Sequence, residues 1–196
     1  MLSENRKKFE MISEKIGKFF SKTGISPNTF TLISLFFAFL SFFFLIKKNL
    51  ILASLFFIIA SILDLIDGAV AKFKNQTTKK GAYLDTICDR YVEGIIIFGF
   101  LFLDLPKIIF IPEIWIFLCL FGALMTTYSK AAAKEKEIIT EELKRGFFER
   151  PERVILILLA LILGNFSFLF TAYALIILAI FSNITALQRI FYTLAK

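Results

Sequence analysis

Residues 61–94 read SILDLIDGAVAKFKNQTTKKGAYLDTICDRYVEG, and four acids in this stretch govern how the rest of the chain is read. Asp64 and Asp67 are three residues apart, and Asp85 and Asp89 are four apart, so each pair shares one face of a helix. The first pair closes one apolar segment and the second opens the next, across a short loop rich in Lys and Thr. The two predicted helices are antiparallel neighbours, so the four carboxylates can converge. Bare carboxylates gathered near hydrocarbon repel one another and are costly to desolvate. Lys72 or Arg90 can offset part of this. A divalent cation does so better, and hard oxygen donors select Mg²⁺, Mn²⁺ or Ca²⁺. A metal pair held between carboxylates suits displacement at phosphorus. The competing reading is a proton or ion pathway, which intramembrane acids also mark. Gly68 favours a ligand site: a glycine directly after Asp67 admits a close approach to the backbone. Ala69 and Ala71 keep that surface low, and Gly81 opens the start of the next helix.

Working outward, six apolar segments are predicted near 29–46, 50–72, 82–103, 108–133, 151–164 and 168–190. A spanning helix needs about 20 residues, so the fifth is short. Asn165 and Ser167 mark the turn after it. Ser26 and Pro27 form a helix start, as N-cap and first-turn residue. Before them, residues 2–21 carry Phe9, Ile12, Ile16, Phe19 and Phe20 at helical spacing, with Lys7, Lys8, Lys15 and Lys18 interleaved. This predicts an amphipathic helix on the membrane surface, ended by Gly24. The division is thus an amphipathic helix over 1–23 and an all-α, six-helix membrane domain over 24–196.

Six spans put both termini on one side. Of 23 basic residues, only Lys47, Lys48 and Lys107 fall on the other; Arg6, Lys144 and Arg145 are among those on the rich side. The positive-inside rule makes the rich side cytoplasmic, and with it both termini and the acids of a multi-pass protein of the cell membrane.

Composition agrees. The chain has 196 residues, 58% hydrophobic, with 26 Phe and a mean hydropathy of +0.76. Soluble domains run near 45–50% apolar. The net charge of +7 suits anionic headgroups and phosphorylated substrates, with no nucleic acid partner expected. There is no His, which removes the commonest general base, the commonest zinc ligand and every catalytic triad built on one. Cys88 and Cys119 lie in apolar stretches and read as small core residues.

Lys130, Arg150, Arg153 and Arg189 lie at the cytoplasmic ends of three further helices. Anchoring by the positive-inside rule is one reading. A phosphate site is the other, because Arg binds phosphate oxygens bidentately. Pro151 places Arg153 in the first turn of its helix, where the dipole disfavours a cation. An anionic partner is implied: Glu149, Glu152 or a bound phosphate.

The order Asp64, two residues, Asp67-Gly68, two residues, Ala71-Lys72, eight residues, Gly81, three residues, Asp85, three residues, Asp89 resembles the signature of the CDP-alcohol phosphatidyltransferases. Lys72 stands where that family usually has Arg; it keeps the charge and loses the bidentate geometry. Ser26-Pro27-Asn28, the segment 146–153 reading GFFERPER, Lys130 after Thr127-Tyr128, and Gln188-Arg189 resemble its phosphatidylinositol phosphate and archaetidylinositol phosphate synthase branch. That branch often has an Arg where this chain has Ala132. The resemblance covers residues 24–192.

The resemblance implies that Asp64, Asp67 and Asp85 bind one Mg²⁺ or Mn²⁺, that Asp85 and Asp89 bind a second, and that Asp89 is the general base. It implies a CDP site formed by Gly68, Ala71, Lys72, Thr78 and Gly81, and an acceptor-phosphate site formed by Lys130, Arg150, Arg153 and Arg189. The expected reaction, a step in phospholipid biosynthesis, moves the phosphatidyl or archaetidyl group of CDP-diacylglycerol or CDP-archaeol to inositol 1-phosphate, a small phosphorylated polyol, and releases CMP. Glycerol 3-phosphate or serine as acceptor, and a divalent-ion or proton transporter, are the alternatives. The family also implies a homodimer.

Overall fold

The computed structural model describes residues 2–139 and 146–196, with side chains described for 11–139 and 146–196. Lys144, Arg145 and the side chains of Arg6, Lys7, Lys8 and Phe9 lie outside the described residues. The described residues form seven α-helices, one 3-10 turn and no strand. The helices are α1 Leu2–Ser21, α2 Pro27–Ile46, α3 Leu50–Phe73, α4 Lys79–Gly99, α5 Pro112–Glu135, α6 Arg150–Gly164 and α7 Phe168–Leu194; the 3-10 turn Phe100–Phe102 extends α4. Each of the six apolar segments of the sequence overlaps one of the helices α2 to α7.

Four of them, α2, α3, α5 and α7, are long and apolar enough to cross a membrane. The other two differ for physical reasons. Lys79, Lys80, Asp85, Asp89, Arg90 and Glu93 make α4 too charged. At 15 residues, α6 is about 22 Å long, short of a hydrocarbon core of about 30 Å. The surface suits lipid: Phe36 is 59% exposed and Phe117 62%.

Local signals set the helix ends. The Ser26 hydroxyl accepts from the Thr29 N–H at 3.2 Å, and Ser167 caps α7 by accepting from the Leu169 N–H at 3.2 Å. One boundary corrects the sequence expectation. The helix expected from 108 begins at Pro112, because Ile109 takes a left-handed φ of 63° and proline fits the first helical turn. The first helix ends at Ser21, matching the expected stretch 2–21, and Gly24 takes φ 75° in the turn that follows. The start of α6 has a capping box that the sequence reading did not identify: Glu149 and Glu152 each accept from the other's backbone N–H.

The chain forms two compact units, Met1–Ser41 with Leu55–Glu93, and Phe42–Ser54 with Gly94–Lys196. In the first, Phe30, Ile66 and Val70 form a buried cluster on which Ile16 and Phe20 of α1 pack. A Cβ at Gly17 would collide with the Ala69 carbonyl oxygen and lie 2.8 Å from the Phe73 Cβ, so glycine permits this close approach of α1 to α3.

In the second unit, α7 lays small buried residues, among them Ala172, Ala179, Ser182 and Ala186, along its packed face. Small residues let helices approach closely where no hydrophobic effect drives them together. At Gly122 of α5 an added Cβ would lie 2.8 Å from the Ser182 Cβ. The Asn183 amide of α7 donates to the Leu118 carbonyl at 2.9 Å. Both cysteines are buried and unbonded to each other, as core residues.

Candidate active site

In the first unit, the end of α3 and the start of α4 are joined by a tight turn. Asn75 takes φ 52°, and the Gln76 N–H returns to the Ala71 carbonyl at 3.0 Å. Thr78 caps α4, its hydroxyl accepting from the Gly81 N–H at 3.0 Å. Space at Gly81 is tight: a Cβ there would stand 3.1 Å from the Thr78 oxygen and 3.2 Å from the Asn28 amide oxygen, so both side chains would have to shift by a few tenths of an ångström.

This turn brings Asp64, Asp67 and Asp85 together, with one carboxylate oxygen of each within 4.8 Å of the others. At that separation two full charges repel by roughly 3.5 kcal/mol at an effective dielectric constant of about 20. Asp67 is 5% exposed, so solvent screens it little. The donor set fits a hard divalent cation: two oxygens each about 2.0–2.6 Å from one ion lie at most about 5 Å apart. Such an ion would be held by these three side chains.

Asp89 stands outside that group. It lies one helical turn beyond Asp85, which advances it by about 6 Å along α4. Its carboxylate is buried, 3.9 Å from the Arg90 guanidinium, which makes a 2.7 Å ion pair with Glu93. Arg90 and Glu93 both lie in the aspartate stretch of the sequence, and the fold of α4 pairs them.

A cavity of about 200 Å³ adjoins the acids. Its lining includes Asp67, Asp85, Gly68, Ala71, Lys72, Thr78 and Gly81, which unites all five residues of the expected nucleotide set with two of the acids. A Cβ at Gly68 would meet nothing within 4 Å. This glycine therefore keeps space open instead of permitting a protein contact. Pro27, Asn28, Thr31, Gln76 and Thr77 also line the cavity and were missed as site residues. Their visible signal was the helix start at Ser26-Pro27-Asn28. Thr31 carried no signal, yet its hydroxyl donates to Asp67 Oδ2 at 2.6 Å across 36 residues of chain.

In the second unit, Arg153 and Arg189 are 2% and 7% exposed. Both converge on Thr126. Arg153 Nη1 donates to its hydroxyl at 3.2 Å, and Arg189 Nη1 to its carbonyl at 2.6 Å. Arg189 Nη2 also donates to Glu149 Oε1 at 3.2 Å, so Glu149 pairs with Arg189. Lys130 and Arg150 are partly exposed, at the end of α5 and the start of α6. Thr126 was missed because a threonine inside an apolar helix carries no sign of its partners.

Comparison with known proteins identifies the family. A profile of the CDP-alcohol phosphatidyltransferase family matches residues 24–187. The archaetidylinositol phosphate synthase of Pyrococcus horikoshii is 33% identical over 193 residues, 97% of this chain and 95% of that protein. The phosphatidylinositol phosphate synthase of Mycolicibacterium smegmatis is 32% identical over 144 residues, 69% of this chain and 60% of that protein. A crystal structure of the Mycobacterium tuberculosis phosphatidylinositol phosphate synthase with CDP-DAG bound superposes with a TM-score of 0.78 at 25% identity, covering 93% of this chain and 94% of that one. The match takes in every residue of the aspartate signature and the helices on either side of it, and the chain belongs to the CDP-alcohol phosphatidyltransferase family.

Proposed function

We propose that the protein transfers the lipid phosphate group of CDP-archaeol or CDP-diacylglycerol to inositol 1-phosphate, releasing CMP. The convergence of Asp64, Asp67 and Asp85 beside a cavity lined by Gly68 and Ala71 carries this reading. The names of the relatives support the acceptor. Bound between the acids, Mg²⁺ or Mn²⁺ would neutralise the diphosphate and make its phosphorus more electrophilic. Asp64, Asp67 and Asp85 would hold one ion, and Asp85 with Asp89 a second. The diphosphate lies along the low surface of Gly68 and Ala71, with Lys72 offering a cation and Thr78 and Gly81 bounding the nucleotide.

Asp89 takes the proton of an inositol hydroxyl as that oxygen attacks the lipid-side phosphorus. The new O–P bond forms while the anhydride bond breaks, and CMP leaves with the electron pair. Lys130, Arg150, Arg153 and Arg189 bind the acceptor's own phosphate. Six helices cross the bilayer with both termini cytoplasmic, forming a membrane domain over 24–196. The segment 1–23, with helix α1 Leu2–Ser21, lies on the membrane surface, where exposed Ile12 and Phe19 meet acyl chains and Lys15, Lys18 and Lys22 meet anionic headgroups.

The test is CMP release by the purified protein from each CDP-lipid with inositol 1-phosphate, free inositol, glycerol 3-phosphate or serine. Inositol 1-phosphate is expected to be the best acceptor. EDTA should abolish release, and Mg²⁺ or Mn²⁺ should restore it. Faster turnover with serine or glycerol 3-phosphate would overturn the acceptor. Full activity in a metal-free preparation would overturn the metal chemistry.

A further inference from the structure

We propose that Thr31 is a positioning residue that aims the Asp67 carboxylate at the metal; this rests on the metal reading above. Thr31 sits one turn into α2, 3% exposed, and Asp67 sits on α3, 5% exposed. The threonine hydroxyl has two acceptors within reach, the Pro27 carbonyl at 3.3 Å and Asp67 Oδ2 at 2.6 Å. It has one proton to give. The shorter bond, to a carboxylate, is the stronger, because a hydrogen bond to an ionised acceptor is worth about twice a neutral one. Donation to Oδ2 restrains the plane of the carboxylate and limits its rotation about the Cβ–Cγ bond. Asp67 otherwise faces two like charges, which would turn it away whenever no cation is bound. A buried donor fixed on a different helix opposes that rotation. It holds the ligand in its binding orientation before the metal arrives.

Threonine suits this role better than serine in one respect and equally in another. Its β-branch stiffens χ1, while the hydroxyl itself is common to both. Valine has nearly the same shape and no donor. Removing an outer-shell partner of a metal ligand lowers metal affinity by about 10- to 100-fold.

The experiment titrates the purified full-length protein with Mn²⁺ in the absence of substrate, following free Mn²⁺ by electron paramagnetic resonance. The wild type, Thr31→Val, Thr31→Ser and Asp67→Asn are compared. Thr31→Val is expected to raise the Mn²⁺ dissociation constant by about 10- to 100-fold, with Thr31→Ser close to the wild type. In CMP release, Thr31→Val should shift the metal concentration for half-maximal rate by a similar factor. Should Thr31→Val fail to elute as a folded particle, Thr31→Ala takes its place. An unchanged dissociation constant in the hydroxyl-free variant overturns the proposal, as does equal weakening in Thr31→Ser, which would make the residue a packing element. A wild type that binds no more Mn²⁺ than Asp67→Asn would overturn the metal reading itself, an outcome distinct from the other two.

Discussion

Arg153 shows how much one side chain can be asked to do. It lies in the first turn of α6, where the helix dipole disfavours a cation by a few tenths to about 1 kcal/mol. The capping box of Glu149 and Glu152 supplies negative charge at the same helix end, and Glu149 also bonds Arg189. A guanidinium carries five N–H donors in a planar fork, and Arg153 Nη1 gives one of them to the Thr126 hydroxyl. If it binds the acceptor's phosphate, Arg153→Ala should raise the Michaelis constant for inositol 1-phosphate by about ten- to a hundredfold, the worth of a charge-assisted hydrogen bond. The constant for the CDP-lipid should barely move. Saturation curves for both substrates check this, and an equal effect on both would assign Arg153 a structural role.

Two glycines on helices meet opposite conditions. Gly17 of α1 faces the Ala69 carbonyl and the Phe73 side chain of α3, with no room for a Cβ. Gly68, on α3 itself, faces open space. Gly17→Leu should therefore push α1 off α3 and loosen the packing of Ile16 and Phe20 on Phe30, Ile66 and Val70. Overpacking of this kind costs about 1–3 kcal/mol, and at about 2–4 °C per kcal/mol for a chain of this size the melting temperature should fall by about 2–12 °C. Gly68→Ala should leave the melting temperature near the wild type and weaken CDP-lipid binding, because its methyl group enters the cavity. Thermal melts of the two variants, together with a CDP-lipid saturation curve for Gly68→Ala, test the contrast. Equal destabilisation by both would contradict it.

The molecule as a whole is organised by where its charges can remain solvated. Lys47 and Lys48 lie in the α2–α3 connection and Lys107 in the α4–α5 connection. The Lys48–Asp104 ion pair is 47% and 77% exposed by side chain, a surface pair of little energetic consequence. If these connections face away from the cytoplasm, Lys48→Cys and Lys107→Cys should react with a membrane-impermeant maleimide in intact cells. Lys22→Cys and Lys136→Cys should react only after permeabilisation. Cys88 and Cys119 are buried and give a low background. The reverse pattern would invert the topology. Labelling of Lys48→Cys and Lys107→Cys from opposite sides would remove one of the two spans between them.

Helix positions, helix starts at Ser26, Pro151 and Ser167, and the acids and glycines of the signature were all legible in the chain. Each depends on neighbours within about one helical turn: apolar periodicity, a capping hydroxyl, a proline with no N–H to satisfy. The start of α5 was misjudged because apolar character continues through 108–111, and only the backbone turn at Ile109 separates that stretch from the helix at Pro112. What tertiary structure alone decided is which polar atoms meet. Spacing treated Asp64, Asp67, Asp85 and Asp89 alike; the crossing of α3 and α4 gathers the first three and leaves Asp89 a turn away beside Arg90. Thr31 and Asp67 are 36 residues apart, and the packing of Phe30 against Ile66 and Val70 brings their helices together. Thr126 meets Arg153 and Arg189 through the same kind of distant packing. A residue's type and local spacing fix the chemistry it can perform, whereas its partner is set by the close approach of helices far apart in the chain.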